Sequence, residues 1–255
     1  MKFNRAIILF VLLFLALIGC SLFVAFPVWF FYGLIGLFLL LVAVGSFSMS
    51  LDFFLKSFTG SKREKKKIVA LTFDDGPHPV YTPKVLELLN TYNAKAIFFC
   101  IGKNVEKYPE LVAQIAANGH IVGNHSFSHK TTIGFNGTKC WISEIERTDV
   151  AIENVLKQKP TFFRPPYGVT TPHLAKAIEH TRHTVLGWNV RPFDTSPVRT
   201  RGAIVKHIKR RIKPGSLILL HDTHQHIAYV LEHTLIYLQE TGYKTVSVNN
   251  LLHEK

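Results

Sequence analysis

Charged residues are absent between residues 6 and 51, where Leu, Ile, Val and Phe predominate. A single helix over this stretch would be about 69 Å long at about 1.5 Å per residue, more than twice a bilayer core of about 30 Å. Pro27 lies near its middle, so we expect two membrane helices, at about residues 6–25 and 28–50, that turn near Pro27. A cleaved signal peptide would explain the first half of the stretch and leave the second half unexplained.

Cysteine is also scarce, with three residues in the chain. Their spacing excludes both a disulfide framework and a cysteine-based zinc site. Cys20 ends "LIGC", which is similar to the cleavage box of a bacterial lipoprotein, but the residues that follow are not a polar tether. Cys100 ends the apolar run "AIFFC" and is predicted to lie in the core. Attachment to a lipid bilayer is expected whichever explanation of the N-terminus holds.

Acidic residues are outnumbered, 17 against 30 basic ones, and the formal net charge is +13. The basic run "KREKKK" at residues 62–67 follows the second apolar stretch, which favours a surface close to anionic lipid or an anionic polymer. Nucleic acid is the rival partner. The basic cluster at residues 199–213 has aliphatic residues at helical spacing and no interleaved aromatics for base stacking. We therefore predict a solvated helix face there, no nucleic-acid partner, and no implied protein partner.

The orientation of the two spans follows from the basic residues beside them. Lys2 and Arg5 precede the first span, whereas Lys56 and the run at residues 62–67 follow the second. The positive-inside rule places both flanks, and the domain behind them, in the cytoplasm. This rule is a bias that the substrate of the protein can outweigh.

Beyond Lys67 the chain alternates short apolar runs with amphipathic stretches. The predicted strands are residues 68–73, 96–101, 120–123, 161–164, 184–188, 216–220 and 244–248. Strands that alternate with helices in this way predict a parallel sheet covered by helices, open or closed into a barrel. We expect a transmembrane region at residues 1–55, a basic juxtamembrane linker at 56–67 and an α/β domain at 68–255. A chain that starts near Ser61 should then fold alone.

Polar residues follow five of these strands. They are Asp74 and Asp75 after the first strand, His125 and His129 after the third, Arg164 with "PPYG" after the fourth, Asp194 after the fifth, and His221 with Asp222 after the sixth. The carboxyl ends of parallel strands share one rim, which is where such folds keep their chemistry. We expect these residues to converge on one site.

The motif "TFDDGP" contains two adjacent carboxylates, Asp74 and Asp75, which are expected to have different roles. Side chains alternate along an extended chain, so Asp74 and Asp75 cannot both do the same thing. The histidines of "HSFSH" lie four residues apart and could bind one ion, and one aspartate would complete a His-His-Asp set. The other carboxylate could then act as a base on a metal-activated water.

Four motifs carry a resemblance to a known family. "TFDDGP", "HSFSH", "RPPYG" and "LILLHD" resemble, in order and spacing, the motifs of the polysaccharide deacetylases, the family with the NodB homology domain (carbohydrate esterase family 4), over residues 68–252. The resemblance implies a distorted (β/α) barrel and the metal-dependent removal of N-acetyl groups from N-acetylglucosamine-containing glycans. It also implies a divalent metal, with zinc the first choice.

The resemblance implies roles residue by residue. It makes Asp74 the general base, makes Asp75, His125 and His129 the metal ligands, and makes Arg164 the residue that orients the base. The backbone amide of Tyr167 would bind the oxyanion, His221 would be the general acid, and Leu219 would line the pocket for the acetyl methyl group.

One motif departs from the family pattern. Where the family commonly has Asp-x-x-Asp-Trp, this chain reads "WNVRPFDTS", with Arg191 at the first Asp and Thr195 at the Trp. Asp194 remains and can hold His221 in its protonated form. Trp188 either supplies part of the missing aromatic surface for substrate or belongs to the core. The departure leaves the shape of the substrate groove open.

Three functions compete at this point. We favour a membrane-bound N-deacetylase of peptidoglycan, chitin-type oligomers or a related glycan, with its catalytic domain outside the cytoplasm. A second reading is a deacylase of a lipid-linked sugar on the cytoplasmic face. The third is a non-catalytic carbohydrate-binding module, against which the complete set of base, acid and ligands argues.

Overall fold

Two apolar helices open the chain. The computed structural model describes residues 2–24 and 27–252. Helix α1 spans Lys2–Ser21 and α2 spans Trp29–Phe47. They pack antiparallel, since Phe10 stacks on Phe38 with ring centroids 4.4 Å apart and Phe14 meets Phe31 at 5.6 Å. Both helices are long and apolar enough to cross a membrane. The expected end of the first span at Ala25 lies outside the described residues.

An α/β domain follows. Its strands are β1 (Ile68–Asp74), β2 (Ala96–Cys100), β3 (Ile121–Asn124), β4 (Phe162–Phe163), β5 (Thr184–Val185), β6 (Ser216–His221) and β7 (Lys244–Thr245). Its helices are α3 (Tyr81–Thr91), α4 (Gly102–Lys107), α5 (Pro109–Ala117), α6 (Thr138–Leu156), α7 (Pro172–Thr181), α8 (Arg201–Arg211), α9 (Ile227–Glu240) and α10 (Val248–Leu252). Every strand pairs in parallel. The predicted α/β class with a distorted barrel is confirmed.

The sheet curls into a half-barrel in the order β5-β4-β3-β2-β1-β6, with β7 paired to β1. Two short connections draw its edge strands together. Val190, beyond β5, forms a parallel bridge to Ile218 of β6. In the same gap between the edge strands, Phe58 bridges Leu186 and Gly60 bridges Ser216.

Strand β1 is buried on both faces, as its near-continuous apolar sequence predicts. Val69, Leu71 and Phe73 belong to the core cluster beneath the outer helices. Ala70 belongs to a separate cluster with Phe99, Leu217 and residues of α10, which fills the inside of the barrel. Alternation places Thr72 and Asp74 on the same inner side as Ala70.

Residues 49–60 pack against the α/β domain. Met49, Phe53, Phe54 and Leu55 are buried in a cluster with residues of α6, α7 and β4. The Phe58 amide donates to the Val185 carbonyl at 2.9 Å. The expected boundaries at residues 55 and 67 cut through this packing, so we propose that the domain begins before Met49.

Short elements account for the other differences from the sequence expectation. Strands β4, β5 and β7 have two residues each, where four or five were predicted. The alternating apolar residues of 244–248 favoured a strand, but Val248 begins α10 and faces the inner cluster. Helix α4 has six residues, too few to show an apolar period.

Candidate active site

The site lies at the carboxyl ends of the strands, in a cavity of about 280 Å³. Eight of the ten predicted site residues line it: Asp74, Asp75, His125, His129, Tyr167, Trp188, Leu219 and His221. The other two, Arg164 and Asp194, are buried behind it at 0% and 3% exposure. The parallel register pairs Asp74 of β1 with His221 of β6, which brings these two residues to the same level of the barrel.

Asp75, His125 and His129 form a compact set of metal-binding groups. Their ligand atoms all lie within 4.8 Å of one another. Asp75 Oδ1 is 3.4 Å from His125 Nε2 and 3.2 Å from His129 Nε2. Two imidazoles and one carboxylate make a donor set typical of catalytic zinc sites, which leave a position open for water or substrate.

The protonation of these residues suits a metal. His125 Nδ1 donates to the Arg164 carbonyl at 2.8 Å, so Nε2 is the ring nitrogen that faces Asp75. Burial, with the charge of His125, lowers the pKa of His129 to about 4, so its ring is neutral at pH 7. Burial opposes the ionisation of Asp75, but the hydrogen bond and charge of His125 outweigh it and hold the pKa of Asp75 well below its usual range. The residues present therefore fit a divalent cation.

The backbone around the ligands is locally strained. Asp75, Ser126 and His129 have φ of 73°, 63° and 48°, in the left-handed region. This region costs a residue other than glycine about 1–2 kcal/mol. Because the strand ends at Asp74 and the chain turns at Asp75, the two carboxylates reach the cavity from different directions. Such strain clusters where a site needs a defined geometry.

Neighbouring elements hold the loop that carries the two histidines. Glu144 of α6 accepts hydrogen bonds from the amides of Phe127 and Ser128, at 3.0 and 2.7 Å, and from the Ser128 hydroxyl at 2.8 Å. At the start of α4, the Gly102 amide donates to the Ser126 carbonyl at 2.9 Å. Glu144 was not predicted, since it lies in an amphipathic helix with no motif around it.

Arg164 is fully buried and fixes Asp74. Its Nη1 lies 2.6 Å from Asp74 Oδ1 and also donates to Thr72 Oγ1 at 2.8 Å. Its Nε and Nη2 donate to the carbonyls of Leu186 and Gly187 at 3.0 and 2.6 Å, and its guanidinium lies 4.2 Å from the Phe99 ring centroid. All three nitrogens are therefore satisfied. Asp74 Oδ2 remains on the side of the metal ligands, 3.7 Å from His125 Nε2.

His221 and Asp194 form a second charged pair across the cavity. His221 Nδ1 donates to Asp194 Oδ1 at 2.9 Å, and the His221 amide donates to Asp194 Oδ2 at 2.8 Å. Burial opposes the charged ring, yet the hydrogen bond and charge of Asp194, with those of Asp74 and Asp75, raise the pKa of His221 to about 9. The imidazole is therefore protonated at neutral pH, with Nε2 as the nitrogen left for the cavity.

Tyr167, Leu219 and Trp188 shape the cavity walls. Tyr167 has φ of 61° and its ring lies 4.7 Å from that of His129. Leu219 is 2% exposed. Trp188 packs so closely on Gly168 that a Cβ there would lie 2.5 Å from the indole. Arg191 and Thr195, the two departures from the family pattern, line the same cavity, as do Thr223 and His224.

Comparison with known proteins agrees with this geometry. The family model described as "Polysaccharide deacetylase" matches residues 61–186. A peptidoglycan-N-acetylglucosamine deacetylase of Bacillus cereus is 36% identical over 195 residues, which cover 74% of this chain and 90% of that protein. A second Bacillus cereus protein of the same name is 37% identical over 62% of this chain, and the match spans 57% of that longer protein.

A solved structure with the same fold is a CE4 family pseudoenzyme from Bacillus anthracis. It superimposes with a TM-score of 0.71 at 26% identity, over 77% of this chain and 68% of that one. A mutant of it is described as having restored enzymatic activity. Since this fold occurs with and without activity, the side chains of the site must decide the function.

Proposed function

The chain belongs to the polysaccharide deacetylase family, and we propose that it is a metal-dependent hydrolase that removes N-acetyl groups from an N-acetylglucosamine-containing glycan. One observation carries the proposal. Asp74, held by the buried Arg164, and His221, held by Asp194, face one cavity that also contains the metal-binding set. Binding a sugar requires neither a positioned base nor a positioned acid.

Asp75, His125 and His129 would hold the metal. A divalent ion there, zinc by the chemistry of its ligands, would polarise the acetamide carbonyl and lower the pKa of a water molecule to about 7. His125 is oriented for this role by the carbonyl of Arg164. The neutral ring of His129 and the ionised Asp75 carboxylate are the forms that bind cations.

Asp74 is the proposed base. Arg164 occupies one carboxylate oxygen, so the other is free to take a proton from the attacking water. The fixed guanidinium keeps this carboxylate in one orientation throughout the reaction. A positioned base contributes about 10² to 10⁴ in rate.

His221 is the proposed acid. With its pKa at about 9, the ring carries the proton that the sugar nitrogen needs when the C–N bond breaks. Asp194 holds the ring by Nδ1, and Nε2 donates the proton. The products are acetate and a free amino sugar.

The cavity walls complete the binding site. The Tyr167 backbone amide would donate to the oxyanion, Leu219 would contact the acetyl methyl group, and Trp188 would face the sugar ring. The position of Tyr167 beside the metal-binding set, with its ring centroid 4.7 Å from that of His129, supports the first of these roles.

We propose that α1 and α2 anchor the enzyme in the cell membrane with the α/β domain outside the cytoplasm. Peptidoglycan, the substrate named for the Bacillus cereus relatives, lies on that side. The basic flanks favour the opposite orientation. Protease treatment of intact cells decides between them: cleavage of the domain supports the proposed side, and full protection contradicts it.

Acetate release tests the activity. Purified full-length protein loaded with Zn²⁺ should release acetate from peptidoglycan or from chitin oligomers, and a chelator should abolish the release. A panel that includes lipid-linked amino sugars would identify a membrane-embedded substrate. Absence of acetate release from every glycan, with bound metal verified, would favour a non-catalytic carbohydrate-binding protein.

A further inference from the structure

A second cavity of about 510 Å³ adjoins the active site. Trp188 and Arg191 line both cavities, so the two cavities are neighbours that share these side chains. The remaining wall includes Lys62 from the basic run and His207 and Arg211 from α8. The activity proposed above does not use this space.

The wall of the second cavity is positively charged. Lys62, Arg191 and Arg211 come from three separate segments and converge on it, and no acidic residue is among the described residues that line it. Within the described part of the chain, none of the three forms a salt bridge. Asp194, close to Arg191 in sequence, has both carboxylate oxygens on His221.

Arg191 is held in place by aromatic rings. Its guanidinium lies 5.3 Å from the Trp188 ring centroid and 5.0 Å from that of Phe193. Phe193 contacts a second arginine: the Arg199 guanidinium lies 5.1 Å from the Phe193 ring centroid. Arg199 also donates to the Pro192 carbonyl at 3.2 Å. Stacking orders the guanidinium without using its hydrogen-bond donors, which leaves a planar fork suited to a bidentate oxyanion.

The surroundings of His207 agree with a positive potential at the cavity wall. Burial and the charges of Arg199, Arg211 and Arg210 lower the pKa of His207. The ring is therefore neutral at pH 7 and can accept or donate a hydrogen bond there. The positive charge of the cavity at neutral pH therefore comes from Lys62, Arg191 and Arg211.

We propose that this cavity is a subsite for an acidic group borne by the glycan itself, a carboxylate or phosphate on a sugar next to the one that loses its acetyl group. The proposal rests on the proposed deacetylase activity and specifies its substrate class as an acidic glycan. Trp188 would contact the sugar between the two cavities, and Arg191 would bind the oxyanion together with Lys62 or Arg211. Charge-assisted pairs of this kind give both affinity and orientation.

The test compares two glycans of equal length, a neutral N-acetylglucosamine oligomer and one whose alternate sugars carry a carboxylate. We measure kcat/KM for each with the full-length protein in zwitterionic lipid, and the ratio of acidic to neutral glycan is the readout. The ratio should exceed about ten in the native protein, the size expected for a charge-assisted hydrogen bond. It should fall about tenfold in Arg191→Gln, less in Arg191→Lys, and should decrease in 0.5 M NaCl, since salt screens exposed charges.

Arg210→Gln is the matched control. Arg210 lies beside Arg211 on α8 and is exposed, but it does not line the cavity. Its substitution removes the same charge outside the cavity lining and should lower the ratio much less than Arg191→Gln does, since Arg210 acts on the cavity only through its field at His207. Equal unfolding temperatures of the variants would show that the ratio reports binding and not folding.

Three results would overturn the subsite. A ratio near one in the native protein would do so, as would a ratio that Arg191→Gln and Lys62→Gln leave unchanged. The third concerns lipid: phosphatidylglycerol vesicles would stimulate deacetylation of the neutral oligomer, and Arg191→Gln would abolish that stimulation. The cavity would then bind lipid headgroups and not the glycan. Acetate release from neither glycan would instead overturn the proposed activity, so the two failures are distinguishable.

Discussion

Asp74 and Asp75 differ in their backbone as well as in their partners. Asp74 is the last residue of β1 and lies on the inner face of the barrel, where Arg164 binds its carboxylate. Asp75 turns into the left-handed region and joins the two histidines. The alternation of an extended strand predicts that the two carboxylates separate. It does not predict the left-handed turn, because an aspartate after a strand can adopt several conformations.

At the residue scale, the pair of His221 and Asp194 makes a prediction about pH. Asp194→Asn removes the charge that raises the pKa of His221, which should fall from about 9 toward its ordinary value of about 6.5. Because the acid must be protonated, the alkaline limb of the kcat profile should move to lower pH, with a loss of about tenfold at pH 8. Zinc content should remain unchanged. An unmoved limb with full activity would contradict the pairing.

Gly76 carries a second prediction at this scale. The sequence explains Gly76 as a turn residue, but a Cβ there would lie 2.4 Å from both carboxylate oxygens of Asp222, which is fully buried. Thr82 donates to the same carboxylate and limits its movement. Gly76→Ala should cost about 1–3 kcal/mol of unfolding free energy, the usual penalty for overpacking.

Gly202→Ala is the control for this change. Gly202 lies in α8 and a Cβ there has no neighbour within 4 Å. The alanine should be neutral or stabilising by about 0.5–1 kcal/mol, since glycine is unfavourable in a helix. Urea unfolding of both variants measures the difference, and equal stabilities would contradict the proposed crowding at Gly76.

At the element scale, α6 holds the histidine loop through Glu144. Glu144→Gln keeps the shape of the side chain but removes its charge, so the hydrogen bonds that it accepts from the Phe127 and Ser128 amides lose their charge assistance and weaken. We expect zinc affinity to fall about 10- to 100-fold, as for other groups that support metal ligands. Glu146→Gln is the control, because Glu146 pairs only with the exposed His180 in the described structure. Isothermal titration with Zn²⁺ checks both, and equal affinities would show that Glu144 does not support the site.

Elements differ in how well the sequence predicts them. The long apolar runs of β1, β2 and β6 and the periodic helices α3, α6 and α9 follow from hydrophobic pattern alone. Strands β4 and β5 depend on pairing with their neighbours, and α10 depends on the open inner cluster that Val248 and Leu251 fill. These contacts join residues far apart in sequence. The site residues were predictable because motifs mark them, whereas Glu144 and the second cavity depend on packing between elements.

At the scale of the whole molecule, the two apolar helices α1 and α2 pack against the α/β domain. The Phe3 amide donates to the Phe53 carbonyl at 3.1 Å, and the Thr170 amide donates to the Ser46 carbonyl at 2.9 Å. The Phe3 ring lies 4.7 Å from that of Phe54. The end of the hairpin formed by α1 and α2 is therefore packed on the α/β domain rather than joined to it by an extended linker.

Two truncated chains test where the domain begins. A chain from Ser48 keeps Met49, Phe53, Phe54 and Leu55 in the core, and a chain from Ser61 loses them. Burial of one such side chain contributes about 1.5–3 kcal/mol, and whole domains are stable by about 5–15 kcal/mol. The longer chain should unfold cooperatively by calorimetry, and the shorter should melt at a clearly lower temperature or not cooperatively. Equal melting temperatures would restore the boundary expected from sequence.

The central claim is the division of labour between Asp74 and Asp75, and zinc content measured together with turnover in their two asparagine variants tests it most directly. Asp75→Asn removes a charged ligand, so purified protein should have lost most of its zinc, and added Zn²⁺ should restore part of the activity. Asp74→Asn should keep near-stoichiometric zinc and lose about 10² to 10⁴ in kcat, the usual contribution of a positioned base. Equal zinc loss in both variants, or full activity in Asp74→Asn, would contradict the account.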